Sequence, residues 1–354
     1  MKPRWITFVL LTVCIGVISI SLVSIGCEEE TNPYPSRVVS EDWYTILFAP
    51  VDEDEPESIQ SYLLELIDGA KQSILAAVYD IDHEGFATAL VDAKKRGVEV
   101  QVLIEKDYSD PDKRPSYPIL NDENLVKTDP RDSALMHNKF LVVDSRFVWT
   151  GSTNLTQRGL NFNNNNVIMI ESLELAENYE TEFYEMWNDD RFGITSPSDT
   201  PYPLLSINDV EIECYFAPED SVEDEILKEL EGASYEILFA TFTFTSDPIE
   251  ELLISKWEEG VQIKGILESF QSANNEAYEE LIQRDIPVIK DGNDYTMHHK
   301  FFVIDRETVV TGSYNPTKSA NTRNDENILV LHDSEIAEAY HAEFSAMWEE
   351  WYET

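Results

Sequence analysis

Positive charge and cysteine are both scarce in this chain. Its 354 residues carry 25 Lys and Arg against 69 Asp and Glu, a formal net charge of −44 at pH 7. So acidic a surface repels polyanions, whereas nonspecific nucleic-acid binding draws on many Lys/Arg–phosphate contacts. Screening limits that repulsion to about 10 Å at moderate salt, so a locally positive cleft can still accept a phosphate. Two readings of the acidity stand: a solvated surface suited to salt or to an exposed location, or complementarity to a cationic partner. Three cysteines give no disulfide framework, and Cys214, in an apparent strand, reads as a small buried hydrophobe. Histidines number six, and outside the repeated stretch described below no His/Asp/Glu cluster has metal-ligand spacing, so no metal or other cofactor is expected. Disorder is excluded by a hydrophobic fraction of 42% with seven Trp, sixteen Phe and sixteen Tyr.

The one long apolar run is at the N-terminus. Lys2 and Arg4 precede Trp5–Gly26, a stretch of 22 residues, and Cys27 with three glutamates follows. It exceeds an ordinary signal core and is long enough to span a bilayer. The positive flank stays cytoplasmic, which puts everything after Cys27 outside. Ser24-Ile25-Gly26-Cys27 resembles a bacterial lipoprotein cleavage box, with Ser24 in place of the usual Leu. A lipoprotein, an uncleaved anchor and a cleaved secretory signal all fit, and all three export the body. Residues 28–40 lack periodicity and read as a tether.

What the chain does have is one stretch written twice. Met136-His137-Asn138-Lys139 leads through Asp144 to Gly151-Ser152-Thr153-Asn154; Met297-His298-His299-Lys300 leads through Asp305 to Gly312-Ser313-Tyr314-Asn315. Each residue of the first copy lies 161 positions before its counterpart, without a gap, and the match continues to Trp187 and Trp348. This is a duplicated unit. The segments around both copies alternate helix and strand: Ser58–Ala70 has helical apolar spacing, Ile74–Tyr79 reads as a buried strand, then Gly85–Lys95 as a helix and Val98–Ile104 as a strand. The second unit repeats the order with a helix over 221–231, a strand over 236–244, a helix over 248–258 and a strand over 261–267. An α/β fold with a mainly parallel or mixed sheet, covered on both faces, follows. The expected domains are 1–27 (export segment), 28–40 (tether), 41–196 and 197–354, joined through the proline-rich 193–206. Irregular segments at 107–117, with Lys113 and Arg114, and at 270–278 are either substrate contacts or plain surface connections.

On a strand His137 and Lys139 share a face, as do His298 and Lys300, with Asn138 and His299 opposite. Two copies facing each other would surround one phosphorus with two imidazoles and two ammoniums. That set suffices for a two-step displacement: one neutral imidazole attacks phosphorus, and the other protonates the leaving alcohol and then activates the incoming water. Lys139, Lys300, Ser152, Ser313, Asn154 and Asn315 would hold the non-bridging oxygens. Asp144 and Asp305 lie an odd number of residues from their histidines and face away, as supporting structure. Arg158, Lys318 and Arg323 are either cleft charges or ordinary surface.

His-x-Lys-x4-Asp followed by Gly-Ser-x-Asn, in two copies, resembles the paired motif of the phospholipase D superfamily over residues 41–354. The resemblance implies tandem α/β/α sandwich units related by an internal pseudo-twofold, with the active site at their interface. It also implies a His nucleophile, a second His as acid, and Lys and Asn on phosphate. In that family an acidic residue orients a motif histidine. Here Glu326 follows His298 by 28 residues and Asn165 follows His137 by 28, so the expectation is that Glu326 orients His298, the nucleophile, and that His137 is the acid and base.

The expected substrate is a phospholipid, cleaved to phosphatidate and a free head alcohol, with the membrane reached through the N-terminal segment and no protein partner implied. A nuclease, a phosphatidyltransferase of the cardiolipin-synthase kind and a non-catalytic scaffold are the rivals. Intact His-Lys pairs speak against the last, and the acidity against the first.

Overall fold

Runs of apolar residues without alternation become strands buried on both faces. In the computed structural model, which describes residues 37–51, 55–272 and 276–352, the first half opens with β1 (Val38–Ser40) and β2 (Tyr44–Ala49). Then come α1 (Ile59–Gly69), β3 (Ser73–Val78), α2 (Glu84–Lys95), β4 (Glu99–Ile104), α3 (Ser116–Asp122) and β5 (Val126–Thr128). The motif region follows as β6 (Lys139–Val143), β7 (Phe147–Gly151), α4 (Gln157–Asn161), β8 (Asn165–Glu171) and α5 (Leu173–Asp189).

The second half repeats the series. It holds β9 (Leu204–Ile207), β10 (Val210–Ala217), α6 (Val222–Gly232), β11 (Glu236–Thr241), α7 (Asp247–Glu258), β12 (Gln262–Leu267), α8 (Glu276–Gln283) and β13 (Val288–Lys290). Its motif region is β14 (Lys300–Ile304), β15 (Thr308–Gly312), α9 (Lys318–Thr322), β16 (Glu326–His332) and α10 (Ser334–Tyr352).

Each half builds one eight-stranded mixed sheet, in the orders β1-β2-β8-β7-β6-β3-β4-β5 and β13-β12-β11-β14-β15-β16-β10-β9. Read element for element, the second order is the first reversed. The motif strand of each half therefore sits near the centre of its sheet, antiparallel to β3 or β11.

Helices cover both faces of both sheets. On α1 the residues Ile59, Leu63 and Ile67 make one buried stripe, and the Ser58 hydroxyl caps its start by accepting from Ser61 N at 3.1 Å. With α2 this stripe closes the outer core of the first sheet; α6 and α7 do the same for the second. The inner faces share a third core with α5 and α10, through Tyr179, Phe183, Tyr340 and Phe344. The layers run helix, sheet, paired helices, sheet, helix, and the two halves are packed as one body within Pro35–Thr354. Cys214 is fully buried in the shared core, with an unpaired thiol.

Two expectations need correcting. The strand expected over 236–244 ends at Thr241, because the chain then turns to lay Phe242 against His298. The irregular segment at 107–117 already contains the first residues of α3. The export segment and most of the tether fall outside the described residues. Among those residues no helix is long and apolar enough to cross a membrane.

Candidate active site

The two motif copies meet at the seam between the halves, and main chain ties them there. His137 N donates to Asp325 O at 3.0 Å and Asp325 N to Leu135 O at 2.9 Å; His298 N donates to Asn164 O at 2.9 Å and Asn164 N to Thr296 O at 3.0 Å. Each histidine is thus positioned by the opposite repeat. Side chains alternate from there. Asn138 turns away from the site to accept from Asn327 Nδ2 at 2.7 Å, and His299 Nδ1 lies 3.0 Å from Asn166 Oδ1.

The crossing overturns the expected role of Glu326. Its Oε2 lies 2.7 Å from Nδ1 of His137, not of His298, whose Nδ1 is 3.0 Å from Asn165 Oδ1. The physical reason is the pseudo-twofold: the start of β16 runs beside Met136, and the residues before β8 beside Met297, as short parallel bridges across the seam. Sequence spacing within one repeat therefore misassigns the partner. With Nδ1 engaged in both rings, Nε2 is the nitrogen left to each for chemistry.

Ser152 and Ser313 also differ from expectation. Ser313 Oγ donates to Glu326 Oε2 at 2.7 Å and accepts from Asn327 N at 3.0 Å. Ser152 Oγ donates to Asn165 Oδ1 at 2.8 Å and accepts from Asn166 N at 3.0 Å. Both hydroxyls are fully buried and committed to the groups behind the histidines, so they do not bind phosphate. The preceding glycines permit this. A Cβ on Gly151, at φ +149°, would stand 2.3 Å from Asn166 O, and one on Gly312, at φ +156°, 2.2 Å from Asn327 O.

Lys139 and Lys300 are buried beside the histidines. Lys139 Nζ donates to His137 O at 2.7 Å and sits 4.9 Å from the Tyr79 ring centre; Lys300 Nζ donates to His298 O at 2.8 Å, 5.2 Å from the Phe242 ring. The same two rings meet the histidines edge to face, with centroids 4.6 and 4.8 Å apart. Burial pushes Lys139 down to about 7 against the opposing pull of Glu326 and Asp80, and pushes Lys300 well below the ordinary range with help from Lys139. Burial, then the two lysines, hold His137 and His298 well below the usual imidazole value, so both are neutral in the empty site. Burial drives Glu326 up to about 8 against the pull of Lys139 and Ser313. The site is a buried cluster of suppressed positive charge, which an incoming anion would restore.

Asp144 and Asp305 lie at the far ends of their strands, about 20 Å from the histidines at roughly 3.3 Å per residue. Asp144 accepts from the backbone N of Lys71, Gln72 and Ser73, and Asp305 from Ser234, Tyr235 and Glu236. Both are turn-holding groups outside the catalytic set. Asn154 and Asn315 each leave a buried Oδ1 without a hydrogen-bond partner, two unmet amides close after the serines. Arg158, Lys318 and Arg323 have exposed side chains. For a cation, one group of donors among the described residues is close enough to share one: Glu211, Glu213 and His332. Lys228 Nζ, 3.1 Å from Glu213, and the Tyr215 hydroxyl already satisfy that carboxylate, and it lies at the opposite end of β16 from Glu326.

Sequence reading placed the site at the interface of the repeats but missed two asparagines that line it. Asn166 and Asn327, the last residues of the Asn163–Asn166 and Asn324–Asn327 runs, bind Thr311, Tyr340 and His299 on one side and Thr150, Tyr179 and Asn138 on the other. The recurrence of Asn at both ends of the two four-residue runs was the available signal. Tyr79 and Phe242, also equivalent in the two halves, carried none.

Known proteins resemble this chain. The family described as cardiolipin synthase, PLD-like domain, matches residues 63–187 and again 226–348. A mitochondrial cardiolipin hydrolase of Xenopus laevis is 32% identical over 157 residues, 43% of this chain and 75% of that protein. A phospholipase D of Rickettsia conorii is 32% identical over 127 residues, 35% of this chain and 62% of that protein. The crystal structure of phosphatidylserine synthase from Haemophilus influenzae superposes with a TM-score of 0.67 over 86% of both chains at 14% identity, a likeness of fold. Two matched domains, each bringing one His-Lys pair to a common seam, make this chain a member of the phospholipase D superfamily.

Proposed function

We propose that the protein is an exported phosphodiesterase that hydrolyses a phospholipid to phosphatidate and its head alcohol through a phosphohistidine on His137. The observation that carries the assignment is the 2.7 Å contact between His137 Nδ1 and Glu326. The carboxylate holds the ring with Nε2 toward phosphorus and balances the positive charge that the phosphorylated ring acquires. Asn165 offers His298 only a neutral oxygen. That fixes the tautomer without stabilising an imidazolium, as suits a group that must give its proton away.

In the first step His137 Nε2 forms the P–N bond as the P–O bond to the head alcohol breaks, and the leaving oxygen takes a proton from His298. In the second, His298 accepts a proton from water, the water oxygen bonds phosphorus, and the P–N bond breaks. The anionic diester restores the proton that His298 needs, because its charge offsets the two lysines. Lys139 and Lys300 then face the non-bridging oxygens, and the Asn154 and Asn315 amides, turned to present NH₂, complete the cradle.

A lipid diester is supported by the relatives named phospholipase D and cardiolipin hydrolase, and by the net charge of −44, which disfavours a polyanion. Export through the N-terminal apolar segment, to the membrane face or beyond, belongs to the same proposal. The test uses the chain from residue 31 onward, with His137→Ala and His298→Ala controls and chelator present. Phosphatidylcholine, phosphatidylethanolamine and cardiolipin vesicles are offered, and DNA separately. Head-group release lost in both variants is the expected result. DNA cleavage without lipid turnover would move the protein to the nuclease branch, and product formed only when an acceptor alcohol is added would make it a transferase.

A further inference from the structure

The two halves repeat each other's backbone at the seam, but not each other's charge. Behind His298 the side chains across the seam are amides: Asn165 on the ring, Asn164 on its backbone N, and Asn293, whose amide donates to Asn164 Oδ1 and, at 3.1 Å, to Phe162 O, and whose backbone N donates to Asp291 at 3.1 Å. Behind His137 they are ionic. Asp325, fully buried, accepts the His137 N–H on its backbone and binds the Arg131 guanidinium through its carboxylate. The same guanidinium grips Asp129 through Nε at 3.0 Å and Nη2 at 2.8 Å, and donates from Nη1 to Arg323 O at 2.9 Å.

The asymmetry is local to these positions. The counterpart of Arg131 is Asn293, a neutral amide: Arg131 N donates to Asp129 Oδ1 at 2.8 Å as Asn293 N does to Asp291 Oδ2 at 3.1 Å, while the counterpart of Asn164, 161 residues on, is Asp325. Arg131 therefore serves one histidine only, and it is the one that Glu326 faces.

We propose that Arg131 is a positioning residue for the nucleophile: by pinning Asp325 across the seam it sets where Glu326, the next residue, meets His137. This rests on the reading of His137 as nucleophile. Asp325 is both the backbone partner of His137 and the chain neighbour of Glu326, so its placement fixes both ends of the 2.7 Å contact. Without the guanidinium a buried carboxylate loses its countercharge, and the residue 323–326 segment must shift to reach water or a proton. A misplacement of about 1 Å can cost roughly 10²-fold in rate. Lysine cannot replace the fork, since the contacts to Asp129, Asp325 and Arg323 O are made from three separate nitrogens of the planar guanidinium, which one ammonium nitrogen cannot reproduce.

The experiment compares wild type, Arg131→Ala, Arg131→Lys and the mirror variant Asn293→Ala on two soluble phosphodiesters, one with a p-nitrophenyl and one with an alkyl leaving group. Acid quench of wild type first locates phosphate on a histidine. For Arg131→Ala, kcat should fall about tenfold or more with KM little changed. The factor should be the same for both leaving groups, because nucleophile placement does not depend on leaving-group basicity. Added guanidinium should restore part of it, and Arg131→Lys should not. Asn293→Ala should instead lose more with the alkyl ester, which needs the acid. A purely structural Arg131 would lower the melting temperature and leave kcat per folded molecule unchanged; that result, a loss confined to KM, or a leaving-group-dependent loss overturns the proposal. If Arg131→Ala does not fold, Arg131→Lys is read by the same kcat, KM and leaving-group criteria. Wild-type phosphate on His298, or none on histidine, would overturn the nucleophile reading itself, whatever Arg131 does.

Discussion

Glu326 and His137 belong to different repeats, yet their side chains meet at 2.7 Å, while His298, in the same repeat as Glu326, faces Asn165 at 3.0 Å. On the proposed mechanism, nucleophile and acid are distinguished by this one carboxylate-for-amide difference. Replacing Glu326 by Gln should lower the rate of phosphoenzyme formation by about 10² or more, the range a positioned acid–base group contributes. In the double exchange Asn165→Glu with Glu326→Asn, the trapped phosphate should move to His298. Peptide mapping after acid quench reads this directly, and phosphate still on His137 would refute the assignment.

Binding should take up protons. Lys139 stands at about 7 in the empty site and Lys300 well below its ordinary value, so an arriving anion raises both. Calorimetry of inorganic phosphate binding at pH 8, in two buffers of different ionisation enthalpy, should show net proton uptake. kcat/KM should fall as pH rises above about 7, as charge leaves the free enzyme's lysines. Zero uptake would mean that the ammoniums are charged before substrate arrives.

Gly312→Ala should be severely destabilising. Its Cβ would stand 2.2 Å from Asn327 O on the neighbouring strand, and the residue sits at φ +156°. A shift of β15 there breaks the Ser313–Glu326 contact as well. A cost of about 4 kcal/mol or more is expected, in the range reserved for backbone clashes and broken buried networks. Thermal melts of Gly312→Ala beside Gly292→Ala give the comparison, since the latter meets only the ring of Trp351.

The buried carboxyls should each withdraw stability as pH rises toward 8. Burial raises Glu105 and Asp325 to about 7, and Glu185 and Glu326 to about 8, all far above their unfolded values. Between the unfolded and folded values the native state binds more protons, so stability is present at low pH and lost as pH climbs through the folded values. Lys139, at about 7, and Lys300, well below its ordinary value, work the other way across this window, and His137, His298 and His299, held low by burial, do so below about 6.5, where the unfolded histidines begin to charge. The melting-temperature difference between Glu185→Gln and wild type isolates one such carboxyl from the opposing lysines: it should grow in the variant's favour from about pH 6 to 8, and a constant difference would show that Glu185 ionises on folding.

Much of the fold was legible because the cues were local. Unbroken apolar runs marked the central strands, the Ile59, Leu63, Ile67 spacing marked α1, and the repeat of 161 residues marked two equivalent halves. His137, Lys139, His298 and Lys300 were legible from their duplicated spacing. The partners were not. Glu326 lies nearer His298 in sequence, but β16 begins against the opposing motif, and nothing along the chain encodes which half a strand end will face. Ser152 and Ser313 were misread for a related reason: a hydroxyl beside a histidine suggests a phosphate ligand until the buried Asn165 and Glu326 are seen to claim it.

The crossed main-chain ties across the seam set a limit on how such a site can be divided. A pair of identical first halves would place Asn165 behind both histidines, and a pair of identical second halves would place Glu326 behind both. On the proposed roles, neither symmetric assembly contains one ring primed to attack and another primed to release. Fusion of two non-identical copies in one polypeptide guarantees the unequal pairing every time the chain folds. A gene carrying either half alone would encode a scaffold with half of each histidine's surroundings and the full complement of neither.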